Sequence, residues 1–241
     1  MTYNKFESIF GLRPHSSWQP FFDAEVLAHL TELARKLEHD GPLSPPFNAM
    51  LRFLELDLQA IKVVVLGQDP YPQEGVATGR AFEVGPLQSW YTPFRNTSLR
   101  NIVRALYAAQ NKRILTFKEV LSEMRAGRFE LAPPAQLFKQ WEQQGVLLIN
   151  TSFSCRIGVP GSHAALWAPF TRQLLAYIHR LRPDLRWLLW GKHAQGVVAH
   201  LSGLQKIESR HPMICQDHPD DFLFGRNPFA KVSDIDWLGC P

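Results

Sequence analysis

Four segments limit the architectures open to this chain: IKVVVLG (61–67), VLLINTS (146–152), RWLLWG (186–191) and LQKIESR (204–210). The first three are near-continuous apolar runs, the pattern of parallel strands covered on both faces. Amphipathic helical patterns separate them. Leu99, Ile102, Val103 and Leu106 recur at i, i+3, i+4 and i+7, and Phe170, Leu174, Leu175, Ile178 and Leu181 repeat the pattern. Val26, Leu27, Leu30, Ala34 and Leu37 mark an earlier helix. Gly145 stands where the C-cap of a helix through LFKQWEQQ belongs. Strands alternating with helices predict an α/β fold with a mainly parallel sheet.

The 241 residues suit a single domain, 1–241, with a core large enough for a stable monomer. PLSPPF (42–47) and LAPPAQ (131–136) are proline-rich turns, too short to separate domains. A formal net charge of +4 admits a polyanionic partner such as nucleic acid, and a small metabolite equally well. Three scattered cysteines without a C-x-x-C argue against a disulfide framework, a zinc site or an iron–sulfur cluster. They point to a reducing, cytoplasmic setting. The opening MTYNKFESIF is unlike a signal peptide, and no apolar run approaches the roughly 18 residues of a membrane span.

Polar residues crowd the end of every strand: GQDPYP, INTSF, WGKHAQ and SRHP. Ligands of open α/β sheets bind beyond the carboxyl ends of the strands. Gln68, Asp69, Tyr71, Asn150, Lys192, His193 and His211 are therefore predicted to share one crevice. Residue by residue, two readings stay open. Asp69 is either a turn-former bonding its own backbone or a partly desolvated carboxylate able to position water or stabilise a cation. Asn150 is a strand-end cap or an amide reading a base edge. Phe82 is core or a stacking face for a planar ligand. His193 and His200, seven apart, are expected on one helix face, without a third ligand for a metal. DHPDD (217–221) reads as a solvated acidic loop in preference to a cation site. P-loop, G-x-G-x-x-G and G-x-S-x-G motifs are absent.

Taken in order, FNAMLRFLELDLQAIKVVVLGQDPYP, GRAF, GVLLINTSFSCRIGVPGSHAAL, LLWGKHAQ and SRHP resemble the family-1 uracil-DNA glycosylases over most of the chain. GQDPY followed by AF is the most specific of these matches. The resemblance implies a three-layer α/β/α fold with a central four-stranded, mainly parallel sheet. It implies hydrolysis of the N-glycosidic bond of deoxyuridine in DNA, a step of base excision repair, with no metal and no cofactor. The target nucleotide would be flipped into a pocket. Asp69 then resembles the carboxylate that orients water and stabilises a cationic sugar. His211 resembles the neutral imidazole that donates to uracil O2, with the backbone around Gln68 helping. Asn150 would read the N3 and O4 edge, Phe82 would stack, and Tyr71 would exclude the methyl group of thymine. A uracil-mimicking protein inhibitor is a further partner the resemblance raises; it would have to dock on the DNA-contacting loops.

Those loops depart from the family pattern. After His211-Pro212 the family has Ser-Pro and then a leucine that fills the gap left by the flipped base. This chain has Met213, Ile214 and Cys215, which puts the short Cys215 at the wedge position and leaves Ile214, Phe222 or Leu223 as substitutes. Ser98 matches a phosphate-contacting serine, and Asn96 or Thr97 is the expected N-cap of the following helix. Gly191-Lys192 replaces Gly-Ser, so Lys192 is either a phosphate contact or a solvated lysine. Pro72 replaces a histidine. A poor wedge predicts a preference for single-stranded over paired substrate. The competing readings are a low-turnover binder of uracil or abasic DNA, a glycosylase for another damaged base, and an enzyme of free nucleosides.

Overall fold

The computed structural model describes residues 2–240. Six strands occur among them: β1 (Leu43–Ser44), β2 (Val63–Gly67), β3 (Val146–Asn150), β4 (Cys155–Arg156), β5 (Arg186–Trp190) and β6 (Gln205–Ser209). The helices are α1 (Thr2–Phe10), α2 (Ala24–Glu38), α3 (Phe47–Met50), α4 (Thr97–Asn111), α5 (Phe117–Arg125), α6 (Pro134–Gln143), α7 (Ala164–Leu181) and α8 (Lys192–Val197). Strands β3, β2, β5 and β6 form, in that order, a four-stranded parallel sheet. This is the predicted architecture, and each strand falls inside its predicted segment.

Side chains alternate across a strand, so an apolar strand must feed two cores. Val64, Leu66, Leu147, Ile149, Trp187 and Leu189 enter one core, with residues of α1, α2 and α7. Val63, Val65, Val146, Leu148, Leu188 and Trp190 enter the other, with residues of α4, α5, α6 and the segment 222–237. Two cores on one sheet give the three layers. The last strand, β6, is an edge strand with largely exposed or half-buried residues.

Gly145 adopts φ 94° directly after the C-cap of α6, as the sequence predicts. Two elements have weaker signals. Helix α5 opens on a capping box, Thr116 with Glu119. The antiparallel β1–β4 ribbon has two residues per strand, too few for any periodicity. One expectation is corrected: α8 ends at Val197, so His193 and His200 do not share a helix face. Among the described residues no helix is long and apolar enough to cross a membrane.

Candidate active site

The loop after β2 is held by its carbonyls. Thr151 and Ser152 donate backbone N–H groups to Gly67 O (3.1 Å) and Gln68 O (2.9 Å), continuing the β2–β3 pairing past the sheet. Ser44, on the small ribbon, donates its hydroxyl to Tyr71 O at 2.7 Å, and Gly158 N–H reaches Pro72 O at 2.8 Å. The proline turn 42–47 and the loop after β3 thus clamp GQDPYP from both sides. Gly67 must be glycine: a Cβ there would lie 2.2 Å from Asn150 Oδ1. That contact lets the Asn150 amide lie across the end of β2, where the residue is 5% exposed.

Asp69 is half-buried, and its Oδ1 is buried without a hydrogen-bond partner among the described residues. Burial raises its pKa above the ordinary carboxylate value, while the nearby His193 and a hydrogen bond from Gln68 pull the other way. His193 Nε2 lies 2.7 Å from the Thr151 hydroxyl, which itself donates to Gln68 O at 3.1 Å. The hydroxyl proton is then engaged at Gln68, so Nε2 carries the proton it gives to Thr151.

His211 follows β6. Burial lowers its pKa below the usual imidazole value, so the neutral ring prevails near neutral pH. The backbone N–H of Met213 donates to its Nδ1 at 3.1 Å. A neutral ring that accepts at Nδ1 carries its proton at Nε2. Gly191 permits this placement, since a Cβ on it would stand 2.9 Å from His211 Cβ, and its φ of 95° suits glycine alone.

Phe82 packs at 5.0 Å from Trp190 and 6.1 Å from His211, between ring centroids. Its φ of 68° is strained for an aromatic residue. Flanking side chains hold it there. Arg80 reaches both oxygens of the buried Glu83 (3.2 and 3.0 Å) and also pairs with Glu142, and Thr78 donates to Glu83. Tyr71 donates weakly to Phe82 O at 3.5 Å; burial pushes its phenol up to about 12. Asn96 is the N-cap residue of α4 but makes no cap bond with its side chain; it stands near the Tyr71 phenol and offsets part of the effect of burial there.

The loops around this crevice resolve several sequence expectations. Met213 and Ile214 stand out at 58% and 47% exposure. Cys215 is half-buried, its thiol turned to Pro212 O at 3.6 Å. Phe222 and Leu223 are core residues, so neither substitutes for a wedge. Ser98 is half-buried in the first turn of α4, and Lys192 is exposed at the start of α8. Asn101 and Asp221 are buried supports of the loop after His211, and no local pattern marks Asn101. Asn101 donates to Pro212 O at 2.6 Å, and Asp221 accepts from the backbone of Gln216, Leu223 and Phe224. Both shape the loop after His211. The expectation of a solvated acidic loop over 217–221 is corrected at Asp221, which is fully buried because it accepts three backbone N–H groups.

A carboxylate short of hydrogen-bond donors, beside a slot floored by a strained phenylalanine, suits cleavage at a sugar carbon that turns cationic, the work of a glycosylase. Residues 55–235 match the model of the Uracil DNA glycosylase superfamily, and the chain belongs to that superfamily. The uracil-DNA glycosylase of Alkaliphilus metalliredigens is 34% identical over 92% of this chain and 90% of its own. The UNG crystal structure from Nitratifractor salsuginis shares the fold, with a TM-score of 0.67, 23% identity and 88% of each chain covered. A mimivirus UNG in complex with UGI is 26% identical, with a TM-score of 0.62, over 82% of this chain and 70% of that one.

Proposed function

We propose that this protein releases uracil from DNA by hydrolysis of the N-glycosidic bond of deoxyuridine, leaving an abasic site. The supporting observation is His211: Met213 N–H occupies Nδ1, so a neutral ring offers Nε2–H as a donor. As the C1′–N1 bond breaks, its electron pair passes to the base and charge gathers on O2, where Nε2–H donates. Asp69 faces the cationic sugar, orients the attacking water and takes its proton as the C1′–O bond forms. The Asn150 amide reads the N3–H and O4 edge. Phe82 stacks on the ring, and Tyr71 closes the position of a C5 methyl group. The chain acts as a single domain in the cytoplasm. A uracil-mimicking inhibitor such as the UGI bound to the mimivirus relative would contact the same crevice.

Duplex handling falls to Met213 and Ile214, the exposed apolar residues of the loop after His211. Neither has the position of the family's leucine, and the residue that has it, Cys215, faces inward. Single-stranded DNA avoids the cost of flipping, so it is the preferred substrate. The test is uracil release from matched single-stranded and U:A duplex oligonucleotides, with Asp69→Asn as control. Faster release from the single strand, lost in the variant, is expected. Equal or faster duplex turnover rejects the strand preference, and binding without release makes the protein a reader of damage.

A further inference from the structure

A cavity of about 380 Å³ opens beside Asp69. Gln68 and Asp69 form one wall, but Tyr71, Phe82, Asn150 and His211 are not among its lining residues. It is therefore separate from the slot assigned to the base. Its volume is that of a small-ligand site. The space exists because the residues of α7 and α8 that border it are small: Ala164, Ala168, Gly196, Val197 and, just beyond α8, Ala199.

The polar lining divides into donors already used and donors still free. Thr151 donates to Gln68 O, Thr171 to Thr151 O (2.6 Å) and Ser152 to Ser154 O (2.8 Å), so their hydroxyl protons are engaged. His193 is tied to Thr151. Arg172 on α7 and His200 after α8 also line the cavity, and their side chains make no hydrogen bond or ion pair among the described residues. The one acid in the lining is Asp69, at the reaction centre. A cavity with a free guanidinium and a free imidazole, and no carboxylate but the catalytic one, is built for an anion.

We propose that this cavity receives a backbone phosphodiester of the DNA strand next to the reacting nucleotide, with Arg172 as its main contact and His200 as a second donor. The inference rests on the uracil-releasing function proposed above. A strand whose sugar lies at Asp69 carries its flanking phosphates within reach of the adjoining cavity. The small residues leave room for the sugar–phosphate path, and the contact needs no paired partner strand.

The test uses single-stranded oligonucleotides with one deoxyuridine, in which each flanking phosphodiester is replaced in turn by a neutral methylphosphonate. Wild-type protein should lose about tenfold in kcat/KM at one linkage, the scale of a hydrogen bond to a charged group. Arg172→Ala should lose about as much on the natural strand and nothing more at that linkage. Its binding should also show a salt slope shallower by about 0.7, one phosphate contact on a single strand. Arg172→Lys should recover some of the loss. His200→Gln should give a smaller loss at the same linkage. Inhibition by free uracil should be unmoved in Arg172→Ala, which marks a folded base slot. Wild-type release that neither Arg172→Ala nor any neutral linkage alters overturns the subsite alone, and so do losses that multiply. No release from any oligonucleotide overturns the subsite together with the function beneath it.

Discussion

Burial of the Asp69 carboxylate sets a conflict between folding and chemistry. Its raised pKa means that the folded state holds the proton more tightly than the unfolded chain does. Ionisation therefore costs folding stability above the unfolded pKa, and the cost vanishes below it. Asp69→Asn should raise the melting temperature at pH 7 and lose that advantage as pH falls below about 3.9, while uracil release drops by orders of magnitude. Differential scanning across pH checks the stability gain, and base release checks the lost activity. The pH profile of kcat follows from the same groups. In the proposed mechanism Asp69 acts ionised and titrates above 3.8, whereas His211 acts neutral and titrates below 6.5. Activity should fall as pH drops, along an acid limb above 3.8 set by whichever of the two groups titrates higher. A His211 ring shown by NMR titration to stay protonated above pH 6.5 would remove it from the neutral-donor role.

At the level of elements, the stacking ring and the exposed loop are held by contacts that join distant stretches of the chain. Arg80 sits between Glu83 and Glu142, all three side chains less than a tenth exposed. Arg80→Leu strands two buried carboxylates and should cost about 3–5 kcal/mol in chemical denaturation. It should also weaken uracil binding through the loosened Phe82. The loop after His211 makes a separable contribution. Met213→Ala with Ile214→Ala removes two exposed apolar side chains whose burial against bases is worth about 1.5–3 kcal/mol each. Release from duplex should fall at least tenfold more than release from the single strand. Equal losses would show that these residues only shape the loop.

Across the whole molecule, the residues legible in advance are those whose neighbours in sequence are also their neighbours in space. Strands β2, β3 and β5 are readable because a strand covered on both faces is apolar throughout, and the polar strand ends point to Asp69, Asn150 and His211. The supports are not readable. Asn101 bonds Pro212, 111 residues away, and Arg80 bonds Glu142, 62 residues away. The inward turn of Cys215 and the burial of Phe222 depend on Asp221 organising a loop that has no period. The early end of α8, which separates His193 from His200, leaves both side chains lining the cavity beside Asp69 even so.

The place of β2 in the sheet has a further consequence. Val63 to Leu66 pair with β3 on one side and β5 on the other, and all four are buried. An amide in such a strand meets solvent only when the sheet itself comes apart. In deuterated water the amides of β2 should be among the last to exchange, at a rate set by global unfolding, while those of the edge strand β6 exchange sooner. Asp69 hangs two residues past the end of this slowest segment. Small local openings elsewhere would leave the carboxylate in place, and its alignment should persist for as long as the molecule remains folded at all.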